Sequence, residues 1–336
     1  MDLNKRIEVL EQLGKYMTSN EQEWKDVKEK AYRHNPWFLP EFIEIAVQNI
    51  SNRFLNREVL IRFVNNYNLP PNNVFSKKIG IVMAGNIPLV GFHDFLCTFL
   101  TGHKAIIKLS SKDDILLKHL VNKLKEYNEE AEQYVFFQDM LKDCDAYIAT
   151  GSYNTSRYFE YYFKKYPHII RKNKTSVAIL TGEETTEEMD KLAEDVYLFF
   201  GLGCRNVTKI FVPYEYAFVP LLDAFNKYSF LSENNKYMNN YDYQLSILIL
   251  NKKHYMTNGS LLVVEDPSVF SPIGQLNFEY YSDVEALEQS LKSNEAIQCI
   301  AGAKNIVFGE AQCPAIDNFA DGVDTIKFLL QLNSKR

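Results

Sequence analysis

One stretch of the 336-residue chain combines a nucleophile with the backbone freedom to expose it, Gly-Leu-Gly-Cys-Arg-Asn at residues 201–206. A cysteine on a glycine-framed turn between a helix and a strand can offer both its sulfur and its own N–H to a substrate. Gly201 and Gly203 are expected to permit positive φ, and Arg205 to favour the thiolate of Cys204, the nucleophilic form. A free cysteine is also commonly a buried structural residue, and the loop by itself leaves both readings open. Cys97 and Cys299 sit in apolar runs and read as structural, and Cys313 before Pro314 has no clear assignment.

Three further places could support chemistry. Asn86, in Met-Ala-Gly-Asn-Ile-Pro-Leu-Val-Gly, follows an apolar strand-like run. An amide there could donate to an oxyanion, or could simply cap a helix starting near Ile87. Lys108 ends the run Ala-Ile-Ile-Lys, followed by Ser110, Ser111 and Lys112. A lysine with hydroxyls at a strand end suits a ribose or phosphate, though such a lysine is often only solvated. Thr150, Gly151 and Ser152 join a strand to a helix, whose first amides could hold a pyrophosphate or be capped by Ser152 or Asn154. There is no G-x-G-x-x-G and no P-loop. No pair among the six histidines has metal-ligand spacing, so no metal is expected.

The elements around these residues alternate. Residues 1 to about 68 read as helices with one apolar face, including Trp37, Phe38, Phe42, Ile43 and Ile45, and Asn-Leu-Pro-Pro-Asn-Asn at 68–73 breaks the chain. Strand patterns follow at 77–85, 103–109 and 145–152, with helices at 87–102, 112–128 and 154–166. A second series begins at the strand 174–182. It continues with a helix opened by a Thr185–Glu188 capping box, and with strands at 208–213, 259–266 and 275–281. Residues 243–251 fit a strand or a helix equally. Strand–helix alternation predicts an α/β protein with parallel sheets.

Bulk properties bound the partners. A formal charge of −6 and the absence of a basic tract argue against nucleic acid. No apolar run has the length of a membrane span, and the N-terminus lacks a signal-peptide core. Five widely spaced cysteines fit a reducing compartment, so a cytoplasmic location is expected.

The candidate residues gain force from their order. A strand ending in Asn-x-Pro, one ending in Lys, one running into Thr-Gly-Ser, then a glycine-framed cysteine, resembles the aldehyde dehydrogenase superfamily. Within it, the segments 85–92, 103–113, 149–152, 201–206, 308–314 and 320–329 resemble the acyl-CoA reductase family, which includes the reductase subunit of the bioluminescence fatty-acid reductase. The resemblance implies an aldehyde-dehydrogenase-like α/β fold. Its parts would be a helical N-terminal region (1–75), a Rossmann-type nucleotide-binding domain (76–174, to which 305–336 could return) and a shortened catalytic domain (175–304). It makes Cys204 the nucleophile and Asn86 the oxyanion amide, and gives cofactor contacts to Lys108, Ser110, Ser111, Thr150, Gly151, Ser152 and Phe270.

Two departures from the superfamily pattern matter. Where acid-forming relatives carry a Glu base, this chain has Ile-Ile-Arg-Lys-Asn-Lys-Thr-Ser at 169–176. Where a ribose-contacting Glu precedes Phe-Gly-Pro, it has Ser268 before Phe270-Ser271-Pro272. Hydrolysis of an acyl-enzyme needs a base, whereas reduction does not. The expectation is therefore NADP(H)-dependent reduction of an acyl thioester, on coenzyme A or a carrier, to the aldehyde. An aldehyde dehydrogenase forming a free acid and a silent acyl-binding or scaffold subunit are the alternatives. NADP(H) is expected because Ser111, followed by Lys112, replaces the Glu that would repel a 2′-phosphate. The resemblance also raises an acyl-activating partner enzyme and a homo-oligomer as expectations.

Overall fold

The computed structural model describes residues 1–332. The chain forms two compact units. One comprises Met1–Asn173 with the segment from Pro314, and the other Lys174–Cys313.

The first unit opens with helices α1 (Leu3–Met17), α2 (Gln22–His34), α3 (Pro40–Phe54) and α4 (Arg57–Asn66). Then follow β1 (Lys78–Val82), α5 (Phe92–Leu100), β2 (Lys104–Lys108), α6 (Ile115–Tyr127), β3 (Val135–Phe137), β4 (Ala146–Thr150), α7 (Tyr153–Phe163) and β5 (His168–Arg171). The strands are parallel throughout, in the order β3-β2-β1-β4-β5. Their centres, such as Ile79, Ile81, Ala105, Ile107 and Ile148, are wholly or almost wholly buried, as strands covered on both faces must be. On α6, Leu116, Leu117, Leu120, Val121 and Leu124 recur at helical spacing and form its buried face. The N-terminal helices are not a separate body. Leu10, Leu13, Ile43, Val47, Leu60 and Phe63 belong to the same core as the sheet, as do Ile326 and Leu329 of the closing helix Thr325–Gln331.

This order creates a switch point. From β1 the chain moves outward through β2 to β3, then returns to lay β4 on the other side of β1. Crevices outside the carboxyl ends of strands at such a reversal are the usual ligand sites of open parallel sheets. The turns after β1 and β4, carrying Asn86 and Gly151–Ser152, flank it.

The second unit contains β6 (Thr175–Ile179), α8 (Thr186–Tyr197), β7 (Val207–Pro213), α9 (Phe218–Phe225), α10 (Asn235–Leu250), β8 (Met256–Thr257), β9 (Leu262–Glu265), β10 (Gln275–Tyr281), α11 (Val284–Ser293) and β11 (Ile297–Ala301). Its sheet runs β11-β6-β7-β10-β9-β8 and is parallel except for β8. The capping box of Thr185 and Glu188 opens α8 as the sequence predicts. The ambiguous run 243–251 is helical, forming the end of α10.

One boundary differs from expectation. The helix expected from Ile87 starts at Phe92, with Gly91 as its N-cap. Residues 86–91 form a turn in which Leu89 has φ of 57°. Asn86 therefore caps no helix, and one of its two alternative roles falls away.

Candidate active site

In the first unit the predicted residues gather at the carboxyl ends of β1, β2 and β4. Lys108 is exposed at the end of β2, while Ser110 and Ser111 lie on the following turn. That turn is held from several sides. Asp113 donates its N–H to the Ser110 carbonyl at 3.1 Å, and Lys112 donates its N–H to Ser110 Oγ at 3.3 Å. From the end of α2, His34 Nε2 bonds the Ser111 carbonyl at 2.8 Å and Asn35 Nδ2 the Lys112 carbonyl at 3.1 Å. Gly85 lies so close that a Cβ there would come 2.6 Å from Ser110 Oγ. A side chain at position 85 and Ser110 cannot share that space.

Thr150 ends β4, and Gly151 donates to the Arg171 carbonyl at 3.3 Å. Ser152 is the N-cap of α7, accepting the Thr155 N–H at 3.3 Å. Its hydroxyl is thus used in capping, while the helix start still presents amide groups at the strand end. Arg171, in the stretch where a catalytic base would be sought, is buried instead against Asp94, with Nη2 2.7 Å from Oδ1. Burial acts to raise the Asp94 carboxyl, but the Arg171 charge and its hydrogen bonds outweigh burial and hold it below the ordinary range.

In the second unit Cys204 lies before the amino end of β7, half-buried. The approach to it is unusual. Phe199, Phe200 and Gly201 all take left-handed backbone, with φ of 55°, 56° and 72°. Gly201 does so freely, while the two phenylalanines, both buried, hold a conformation that L side chains rarely adopt. Gly203 is not among the residues with positive φ, contrary to expectation. The loop is fastened by Asn206, whose side chain is buried. Its Oδ1 accepts the Gly203 N–H at 2.8 Å, and its Nδ2 reaches the carbonyls of Asp195 at 3.0 Å and Leu198 at 2.7 Å. Ser176 Oγ donates to the Cys204 carbonyl at 3.1 Å and lies 3.0 Å from Cys299 Sγ.

Arg205 is buried, and its charge acts on Cys299, an influence the sequence reading did not foresee. Burial raises the Cys299 thiol, with Ser176 and Arg205 opposing that rise. Phe270 lies on the turn leading into β10, partly exposed. That turn is fixed by Thr208 Oγ1 to the Val269 carbonyl at 2.6 Å and by buried Lys209 Nζ to the Pro267 carbonyl at 2.8 Å. Ser268 Oγ is engaged within the turn, donating to the Phe270 carbonyl at 2.8 Å.

Sequence reasoning missed two buried carboxylates beside these loops. Asp195 on α8 is fully buried and accepts N–H bonds from Gly309 at 2.8 Å and Ala311 at 3.1 Å. Asp113 accepts the Leu89 N–H at 2.7 Å. Burial pushes each up to about 7. No cluster of metal-ligating side chains occurs among the described residues. None of the described helices is long and apolar enough to cross a membrane.

The two sheets, with this order of turns, define an aldehyde-dehydrogenase fold. Solved structures bear out that likeness at low identity. Aldehyde dehydrogenase 21 from Physcomitrella patens, in complex with succinate, is 12% identical over 99% of this chain and 84% of that chain, with a TM-score of 0.68. An NAD-dependent aldehyde dehydrogenase from Sinorhizobium meliloti is 11% identical over 93% and 72%, with a TM-score of 0.66. An aldehyde dehydrogenase from Bacillus cereus, solved with NAD+, is 15% identical over 93% and 74%, with a TM-score of 0.63. No curated protein matches the chain. The family profile of the LuxC acyl-CoA reductases matches residues 48–219, just over half of the sequence. The chain belongs to that family, whose members are oxidoreductases of acyl and aldehyde groups. The matched span includes Asn86, Lys108, Thr150–Ser152 and Cys204, while Phe270 lies outside it.

Proposed function

We propose that the protein reduces an acyl thioester to an aldehyde through an acyl-enzyme on Cys204, using NADP(H). The observation that carries this reading is the absence of a carboxylate from residues 169–176 in a chain of the acyl-CoA reductase family. The arginine found there is committed to Asp94 and cannot act as a base.

The first unit fits a nicotinamide nucleotide. Lys108 and the Ser110–Ser111 turn offer donors for a ribose, and the start of α7 offers amides for phosphates. Ser111 adds no negative charge beside a 2′-phosphate, and Lys112 adds a positive one, which favours NADP(H) over NAD(H). When bound, such a cofactor supplies the two electrons as a hydride.

The protein's own groups do the rest. The Cys204 thiolate attacks the thioester carbonyl, and the Cys204 N–H and the Asn86 amide receive the charge that develops on oxygen. The coenzyme A or carrier thiolate leaves as the carbonyl re-forms. With no carboxylate in residues 169–176 to activate water, the acyl-enzyme persists until it is reduced, then releases the aldehyde and regenerates the Cys204 thiolate. An acyl-activating partner enzyme and self-association belong to the same proposal as its physiological setting.

The test is NADPH consumption against acyl-CoAs of increasing chain length, with Cys204→Ala alongside. Turnover that depends on chain length and vanishes in the variant supports the reductase. Acid formation from aldehyde without coenzyme A would replace it with an acid-forming dehydrogenase. Asn86→Ala should lower turnover by roughly 10²–10³, and unchanged turnover removes Asn86 from the mechanism.

A further inference from the structure

Asp113 lies on the turn after β2, yet its side chain serves the turn after β1. Its Oδ2 accepts the Leu89 N–H at 2.7 Å, and the residue is 7% exposed. Leu89 holds φ of 57°, a conformation that non-glycine residues rarely adopt without support. The other carboxylate oxygen, Oδ1, is buried with no hydrogen-bond partner among the described residues. Burying an oxygen without a partner is unfavourable, so packing alone does not explain an aspartate here. A leucine has the same shape and would avoid that cost. What a leucine cannot do is accept the Leu89 N–H. Backbone contacts reinforce the join between the two turns, with Met83 N–H donating to the Lys108 carbonyl at 3.0 Å and Gly85 seated against Ser110.

We infer that Asp113 is a positioning residue for Asn86: by holding Leu89, it fixes the 86–91 turn so that the Asn86 amide is preset for its task. The inference rests on the reading of Asn86 as an oxyanion donor, and its structural half stands without it. Burial pushes the Asp113 carboxyl up to about 7, with the Leu89 N–H drawing it back down. An uncharged side chain with an acceptor oxygen at the same place therefore suffices for the role. This makes Asp113→Asn and Asp113→Leu, two variants of nearly the same shape, a clean comparison.

Two readouts need no nicotinamide nucleotide. One is amide hydrogen exchange in a peptide covering 86–92. The other is the rate at which an acyl-CoA acylates Cys204, followed by intact mass. In Asp113→Leu, exchange should rise by about tenfold or more and acylation should slow by a similar factor, because small misplacements of an oriented group carry costs of this order. The melting temperature should change little, because relief of the unpartnered Oδ1 is offset by the Leu89 N–H left without its acceptor. Asp113→Asn should restore both readouts to near the parent values. Asp113→Leu in an Asn86→Ala background should be no slower than Asn86→Ala alone.

Parent-like exchange and acylation in Asp113→Leu would overturn the inference. So would equal losses in Leu and Asn variants, or losses that multiply with Asn86→Ala. If no protein, the parent included, acylates Cys204, the proposed reaction fails. The exchange pattern then still decides whether Asp113 sets the turn.

Discussion

Asn206 Nδ2 lies 2.7 Å from the Leu198 carbonyl, so the last turn of α8 and the loop carrying Cys204 are tied by a single buried amide. The same side chain accepts the Gly203 N–H and reaches the Asp195 carbonyl. It thereby satisfies carbonyls that the end of a helix otherwise leaves without partners.

The two ends of that amide make a directional prediction. Asn206→Ala removes donor and acceptor together and should destabilise the second unit by roughly 2–6 kcal/mol, given about 1–3 kcal/mol for each side left unsatisfied. Asn206→Asp keeps the acceptor for Gly203 but places a carboxylate among carbonyl oxygens. It should therefore be the less stable of the two at neutral pH. Urea unfolding at pH 7 compares them, and an aspartate variant as stable as the parent would contradict the geometry.

Asp195 gives a pH dependence of definite sign. Burial raises its carboxyl from 3.8 to about 7, with the Gly309 and Ala311 N–H groups opposing. The folded chain thus binds this proton more tightly than the unfolded chain. The contribution to stability is most favourable below about pH 4, declines as pH rises towards 7, and is level above that. The full span is about 4 kcal/mol as an upper figure, from three pKa units at about 1.4 kcal/mol each. Asp195→Asn should make the fall in unfolding free energy across this window shallower, leaving the share of Asp113, whose carboxyl is raised to the same range, as measured by urea midpoints at a series of pH values. A parent slope retained in the variant would assign the effect elsewhere.

Local patterning made much of this legible. The period of the apolar residues marks α6, and the Thr185–Glu188 spacing marks the start of α8. The order of Asn86, Lys108, Thr150 and Cys204 along the chain points to the family that the profile match shows. Contacts distant in sequence were not legible. Nothing local pairs Asp94 with Arg171, 77 residues away, or Asp195 with Gly309, 114 away. Asn206 was in plain view beside Cys204, but its role depends on carbonyls exposed only where α8 ends. The start of α5 was misplaced because Pro88 suits a first helical turn. The Asp113–Leu89 bond instead holds a non-helical turn through Gly91.

The close approach of Gly85 to Ser110 predicts a specific loss. Gly85→Ala would bring its Cβ to within 2.7 Å of Ser110 Cβ, displacing the turn beside Lys108. The expected outcome is weaker NADPH binding in calorimetry, with partial recovery in Gly85→Ala/Ser110→Gly, where the space is returned. Equal affinities in parent and single variant would show that this turn does not contact the nucleotide.

The Asp94–Arg171 pair predicts a contrast between breaking an ion pair and replacing it. Arg171 Nη2 bonds both Asp94 Oδ1, at 2.7 Å, and Thr325 Oγ1, at 2.8 Å, so β5, α5 and the closing helix meet at one guanidinium. Asp94→Ala leaves a buried positive charge without its counterion and should cost about 3–5 kcal/mol. Asp94→Leu/Arg171→Met removes both charges at similar volume and should recover much of that loss. Thr325 Oγ1 and the Ala320 carbonyl then both lose their Arg171 donor, which keeps the recovery partial. Chemical unfolding of the parent and both variants decides it. A double variant no more stable than Asp94→Ala would mean that the pair holds the three elements together through its specific hydrogen bonds, beyond compensating its own buried charge.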